Sequence, residues 1–288
     1  MFPSAALMTT LLSACSPVGL LNATAPTGGV TITHDVSYGT GQRQHLDIYA
    51  PSLQNAPVVV FFYGGGWTDG DKAMYRFLGS ALAARGYLTV VPDYRIYPDA
   101  RFPAFVQDGA ASVAWTQANI ARYGGDPTRI ALLGHSAGAH TAAMLTLDRR
   151  WLRAEGLDPD RSITAMAGLA GPYDFLPLND PELEAIFAPA GDLRLTQPIT
   201  FARGDAPPLF LATGTSDTTV WPRNTLNLAA AIRRQGGQVE VATYAAASHR
   251  LIIGALAGPL RWTVPVMRDV SRFLDHHFGR LAADVAHP

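Results

Sequence analysis

The sequence predicts an α/β protein: an eight-stranded, mostly parallel sheet with helices on both faces. Three observations carry that expectation. Short unbroken apolar runs, such as Val58 to Phe62 and Ile130 to Leu133, alternate with longer helical stretches, which is the pattern of strands covered on both faces. Two segments of strict apolar/polar alternation precede them, as an antiparallel opening pair would. Hydrophobic residues make up 48% of the 288 positions and charged residues only 16%, against about 25% in an average soluble protein, so the chain can bury one large core.

Taken in order, Val30 to Tyr38 alternates as a half-buried strand should, and Gln44 to Ala50 repeats the pattern after a turn at Gly39 to Gly41. The parallel strands follow as Val58 to Phe62, Tyr87 to Val91, Ile130 to Leu133, Ile163 to Leu169, Leu209 to Thr213 and Val239 to Tyr244. Helices are expected at Met74 to Arg85, Ala104 to Tyr123, Ala137 to Leu147, Arg223 to Gln235 and Val266 to Phe278. The proline-rich stretch 172–208 breaks the alternation and is too long for a plain loop. It reads as a cap-like insertion over the site.

Net charge is −1 with no run of Lys or Arg, which excludes the basic stripe that nucleic-acid binding needs. The single cysteine, Cys15, excludes an intramolecular disulfide and a cysteine-based metal cluster. Ala5 to Ala14 is mostly apolar, too short to span a bilayer and of a length suited to a signal-peptide core. It ends in Leu12-Ser13-Ala14-Cys15, which resembles a bacterial lipobox, although no Lys or Arg stands in the first residues. That resemblance implies a signal peptide over 1–14, a lipid chain on Cys15 and an exported, membrane-anchored protein, with 15–29 as a flexible tether to a catalytic domain over 30–280. Without a working signal the protein would be cytoplasmic.

Two glycine-rich motifs sit at strand ends. Gly134-His135-Ser136-Ala137-Gly138 follows one apolar run and opens a small-residue helix, the context in which a G-x-S-x-G serine becomes an exposed nucleophile. Its glycines leave room where strand and helix crowd the serine. Tyr63-Gly64-Gly65-Gly66-Trp67 ends another run, and its amides can turn inward to a developing oxyanion, where each such donor is typically worth about 2.7–4 kcal/mol. No Gly-Lys-Ser/Thr follows, so a phosphate cradle is disfavoured.

A serine hydroxyl needs an adjacent base, and that base needs an orienting carboxylate. Chain order in folds that carry such an elbow is Ser, acid, His. Asp217 lies just beyond the Leu209 to Thr213 strand, with Asp205 and Asp192 as rivals and a helix-capping role as its plain alternative. His249 follows the last strand. His140 belongs inside the helix after the elbow, and His135, adjacent to Ser136, should point away from it and pack.

Together with Pro92-Asp93-Tyr94-Arg95, these residues resemble the α/β-hydrolase superfamily, and within it the carboxylesterases and kynurenine-formamidase-like enzymes that carry an HGG-x-W loop. The similarity runs from about Asp47 to Phe278. It implies Ser136 as nucleophile, His249 as general base and then acid, Asp217 as orienting acid, and the amides of Gly65, Gly66 and Ala137 as oxyanion hole. No metal or cofactor is implied. Tyr63 departs from the motif, standing where most relatives have a histidine that braces the glycine loop. Within Asp93-Tyr94-Arg95, the acid and the arginine are expected to pair with each other.

The reaction expected is hydrolysis of a small carboxylic ester, short-chain or aryl, through an acyl-serine. Its rate should rise as an imidazole of ordinary acidity, near about 6.5, loses its proton. The alternatives are an arylformamidase, or a noncatalytic binding protein on the same fold. Trp67 and Trp221, with Tyr97, Phe102 and Phe175, are candidates to line the substrate pocket.

Overall fold

The computed structural model describes residues 17–280. Its strands are β1 Val30–Ser37, β2 His45–Pro51, β3 Ala56–Phe62, β4 Leu88–Pro92, β5 Gly125–His135, β6 Ala165–Leu169, β7 Leu209–Gly214 and β8 Val239–Tyr244. They form one eight-stranded sheet in the order β1-β2-β4-β3-β5-β6-β7-β8. β2 runs antiparallel to both neighbours, and every other pair is parallel. Every residue of β3, β4, β6 and β7 is buried, so both faces are covered there; β1 and β8, at the edges, are only partly covered.

The helices expected from periodicity form at Arg76–Ala83, Ala104–Asn119, Ala137–Leu147, Arg223–Arg234 and Val266–His277. Val266–His277 is amphipathic, burying Val266, Met267, Val270, Phe273 and Leu274 along one stripe. Ala137–Leu147 is buried at every residue, because small side chains let it press directly on the sheet. Five short helices were not anticipated, at Pro17–Ala23, Arg150–Ala154, Pro159–Ser162, Pro181–Phe187 and His249–Gly254. Each is too short for a 3.6-residue repeat to register.

One of these corrects the expected tether. Pro17–Ala23 is helical and docked: Leu21 packs on the core, and the Asn22 side chain accepts from the Phe77 amide at 3.0 Å while donating to the Ala73 carbonyl at 2.9 Å. Asn22 thereby satisfies an amide in the first turn of Arg76–Ala83 that no helical carbonyl can reach. Cys15 and the signal-like stretch before it lie outside the described residues.

The 172–208 stretch is built from the helix Pro181–Phe187 and single 3₁₀ turns at Ala188–Ala190, Leu193–Thr196 and Pro198–Phe201. Polar contacts within it and to neighbouring elements fasten it. Asn224 Oδ1 accepts from the amides of Tyr173 and Asp174, Gln197 Oε1 accepts from the Phe175 amide, and the Ile186 carbonyl accepts from Phe102.

Strand and helix approach closely at the end of β5. A Cβ on Gly138 would stand 2.0 Å from the Phe62 carbonyl oxygen of β3, and one on Gly134 would stand 2.4 Å from the Gly138 carbonyl oxygen. Gly138→Ala therefore has to push the helix off the strand. We expect a cost of about 3 kcal/mol, a melting temperature lower by on the order of 6–10 °C. A variant that melts with the parent would show that this contact is not close.

Candidate active site

The elbow follows from that approach. With the helix starting immediately after β5, Ser136 takes φ 54° and ψ −125°, a conformation that a non-glycine residue adopts only when its surroundings force it. Its amide donates to the Leu169 carbonyl of β6 at 2.9 Å, which fixes the turn from the other side. The side chain is held at the carboxyl ends of the central strands, the edge where open parallel sheets bind ligands.

The three residues expected to act together meet there. Ser136 Oγ donates to His249 Nε2 at 2.9 Å, and His249 Nδ1 donates to Asp217 Oδ2 at 2.8 Å. Asp217 Oδ1 accepts from the amides of Thr219 at 3.0 Å and Val220 at 2.9 Å. The local turn and the contact to His249 thus use different oxygens; the helix Arg223–Arg234 has Pro222 at its N-cap position and no side-chain cap, so Asp217 does not cap it. Burial pushes the Asp217 carboxyl up, but hydrogen bonds from His249, Val220 and Thr219 outweigh it and hold it below its ordinary value. It stays an anion facing the imidazole. The rivals are engaged elsewhere: Asp205 with Arg149 and Arg203, and Asp192 with Arg194.

His135 is not hydrogen-bonded to Ser136, and it does more than fill space. Its Nε2 donates to the His249 carbonyl at 3.1 Å, and the two rings lie 4.7 Å apart, so β5 grips the backbone of the residue that meets Ser136. The other end of His249 is set by Ser248, which caps the helix His249–Gly254.

The glycine loop is a tight turn in which the Gly65 carbonyl accepts from Thr68 and Asp69 at 3.0 and 2.9 Å. Gly65 has φ 139° and a Cβ there would meet the Asp69 oxygen at 1.9 Å; Gly64 lies so close to Ser136 that a Cβ would reach its Cβ at 2.8 Å. The amides of Gly65 and Gly66 donate to no protein group among the described residues. The Ala137 amide is at the first position of its helix, where no intrahelical carbonyl faces it. Ser136, His249 and Asp217 are thus brought into contact, with Gly64 of the glycine loop packed against Ser136.

Tyr63 is fully buried, stacked between Tyr75 at 5.4 Å and Tyr94 at 4.7 Å. Its hydroxyl donates to Asp93 Oδ1 at 2.6 Å and accepts from Arg43 Nη2 at 2.9 Å, and the same Arg43 nitrogen donates to the Gly70 carbonyl at 2.6 Å. Burial keeps the phenol far above its ordinary pKa, so it remains a donor. Asp93 also accepts from the Lys72 amide, while Lys72 Nζ binds Asp35 at 2.7 Å and Asp47 at 3.4 Å. The expected Asp93 to Arg95 pair does not form: Arg95 binds Asp108 at 2.8 Å, because Asp93 is already taken by Tyr63 and Lys72. Arg43 escaped the sequence reading altogether, and Lys72 offered only one signal, its being the one lysine in the chain.

Trp67 is 3% exposed and packs on Phe187 at 4.9 Å, His140 at 5.3 Å and Phe175 at 6.0 Å. It joins the 172–208 stretch to the glycine loop and presents little surface to a substrate. Phe102 and Phe175 belong to the same aromatic cluster. Trp221, four positions after Asp217, is 63% exposed and free to touch a ligand.

Residues 46–232 match the BD-FAE family model. The chain is 32% identical to the isoprenylcysteine alpha-carbonyl methylesterase ICME of Arabidopsis thaliana, over 80% of this chain and 58% of that protein. It is 32% identical to esterase LipQ of Mycobacterium tuberculosis, over 86% of this chain and 63% of that protein. The chain thus spans about three fifths of the length of these relatives. A solved esterase from Thermogutta terrifontis superposes with a TM-score of 0.72 at 25% identity, covering 93% of this chain and 99% of that one.

Two buried histidines set an acid limit. Burial holds His140 at about 4 against the hydrogen bond its Nε2 makes to the Thr196 carbonyl, and burial with His249 nearby holds His135 at about 3. Both titrate higher when unfolded, so their contribution is complete above about 6.5 and is lost as pH falls toward those values. Melting temperature is expected to drop steeply between pH 6.5 and pH 4. His140→Gln, which can still donate to Thr196, should flatten the slope by up to about 3 kcal/mol; an unchanged slope would contradict the assignment.

Proposed function

The chain belongs to the BD-FAE family, and from that premise we propose that it is a carboxylic ester hydrolase working through Ser136, His249 and Asp217. The observation that carries the reading is the unbroken chain of contacts from Ser136 Oγ through His249 to Asp217, at 2.9 and 2.8 Å, beside amides left without a protein acceptor.

In this mechanism Ser136 Oγ attacks the ester carbonyl carbon while its proton passes to His249 Nε2. The carbonyl oxygen gains the charge and is met by the amides of Gly65, Gly66 and Ala137. His249 then gives that proton to the departing alcohol, leaving an acyl group on Ser136. Water repeats the sequence, with His249 again taking a proton, and releases the carboxylic acid. Asp217 remains ionised throughout and steadies the imidazolium that forms twice in each cycle.

Short-chain or aryl esters are the substrates proposed. The plant relative is named as a methylesterase and the mycobacterial one as an esterase, which favours esters over aryl formamides. The 172–208 stretch would act as a fixed cap, since it is tied to Trp67 and to the helix behind Ser136. We further propose lipid attachment at Cys15 and export; among the described residues no helix is long and apolar enough to cross a membrane. Intact-mass measurement of membrane-extracted protein should find Cys15 at the new amino terminus carrying lipid. An unmodified Met1 would refute it.

Ser136→Ala is expected to lower kcat for a nitrophenyl acetate or butyrate ester by about 10⁴-fold or more with an unchanged melting curve, and Asp217→Asn by about 10⁴-fold. Hydrolysis at the parental rate in Ser136→Ala would remove the proposal. An acyl-length series run beside aryl formamides assigns the substrate, with esters expected to be turned over faster; a preference for formamides would overturn the ester reading.

A further inference from the structure

At the opposite edge of the sheet from Ser136, beside the amino end of β4, lies an open cleft of about 740 Å³ lined by Arg85, Arg261, Arg268, Arg272 and Arg280. Three of these arginines have a carboxylate. Arg268 binds Asp269 at 3.0 Å, Arg272 binds Glu240 at 2.8 Å, and Arg280 lies 3.1 Å from Asp275. Arg280 is also stacked on the Tyr87 ring at 4.8 Å and donates to the Arg85 carbonyl at 3.0 Å.

Arg85 and Arg261 form no ion pair among the described residues. Arg85 makes one long side-chain contact, 3.4 Å to the Ala81 carbonyl of the helix that precedes it. Arg261 has its Nε and Nη2 buried with no hydrogen-bond partner among the described residues. Burial and the neighbouring Arg261 hold the Arg85 guanidinium down at about 10, and burial lowers Arg261 as well, so each cation is held at a cost. Two like charges facing one cleft, with donors unused, are what an oxyanion would relieve.

We propose that this cleft binds a phosphate-bearing ligand, with Arg85 and Arg261 as its recognition residues. The charge matches: two unpaired guanidinium groups oppose the −1.5 to −2, roughly, of a phosphate monoester near pH 7. Planar guanidinium forks also suit tetrahedral oxyanions better than any single ammonium would. The phosphate could belong to a soluble metabolite or to a lipid headgroup. Trp262, next to Arg261 and 84% exposed, is placed to enter a bilayer surface in the second case.

Thermal melts of the full chain in inorganic phosphate and in chloride at equal ionic strength test the site. Phosphate is expected to raise the melting temperature saturably. Arg261→Gln and Arg85→Gln should melt higher than the parent in chloride, since each removes an uncompensated charge, and should bind phosphate about tenfold more weakly or worse. Ester hydrolysis should be unaffected. Vesicles containing phosphatidic acid, a phosphate monoester, and vesicles of phosphatidylcholine distinguish the sources: Arg261-dependent, Trp262-dependent binding to the former alone assigns a lipid headgroup, and no vesicle binding assigns a soluble phosphate. No phosphate shift in the parent, or an equal shift in both arginine variants, would overturn the proposal.

Discussion

The arrangement depends on one steric constraint, the backbone contact between the helix that follows β5 and the end of β3. Gly138 faces the Phe62 carbonyl where a methyl group would overlap it at 2.0 Å, and Gly134 is closed against the Gly138 carbonyl in the same way. A chain that leaves a central strand and enters a helix at that distance has no relaxed path. Ser136 absorbs the strain, at φ 54°, and its side chain is thrown clear of the sheet. The position of the Ser136 side chain is therefore a consequence of packing, before any hydrogen bond to His249 is considered.

The glycine loop has the opposite problem. It has few side chains with which to hold itself, and its amides must stay unpaired to be useful. Its stiffness is borrowed from residues behind it. Three stacked tyrosines, Tyr63, Tyr75 and Tyr94, supply the packing, and Arg43, Asp93 and Lys72 tie the loop to β2 and to the end of β4 through buried and half-buried polar contacts. A buried network of this kind rigidifies only when its members are satisfied, and here the Tyr63 hydroxyl both gives and receives. The tyrosine that departs from the related motif keeps the bracing role by reaching Asp93.

Much of this was legible in the chain because the elements concerned are long or chemically constrained. The central strands declare themselves as unbroken apolar runs, and the helices at 104–119 and 266–277 are long enough for their type to be plain. Ser136, Asp217 and His249 stand at strand ends in the chain order that folds with such an elbow use. What escaped was set by contacts between residues distant in sequence. Arg43 is one exposed-looking arginine in a turn until the fold brings it to Tyr63, and Arg95 finds Asp108 rather than its near neighbour Asp93. Asn22 docks a segment that composition alone marks as a tether. Trp67 reads as a pocket wall and is instead enclosed by aromatics from a stretch more than a hundred residues later.

The central claim is that the packed elbow presents Ser136 as the activated nucleophile. A fluorophosphonate probe, which bonds covalently to an activated serine oxygen, followed by peptide mass spectrometry tests it most directly. The account predicts stoichiometric modification on the peptide containing Ser136, with ester hydrolysis lost in proportion and labelling slowed at least about a hundredfold in His249→Ala. Modification of a different residue, or undiminished hydrolysis after Ser136 is fully labelled, would contradict it.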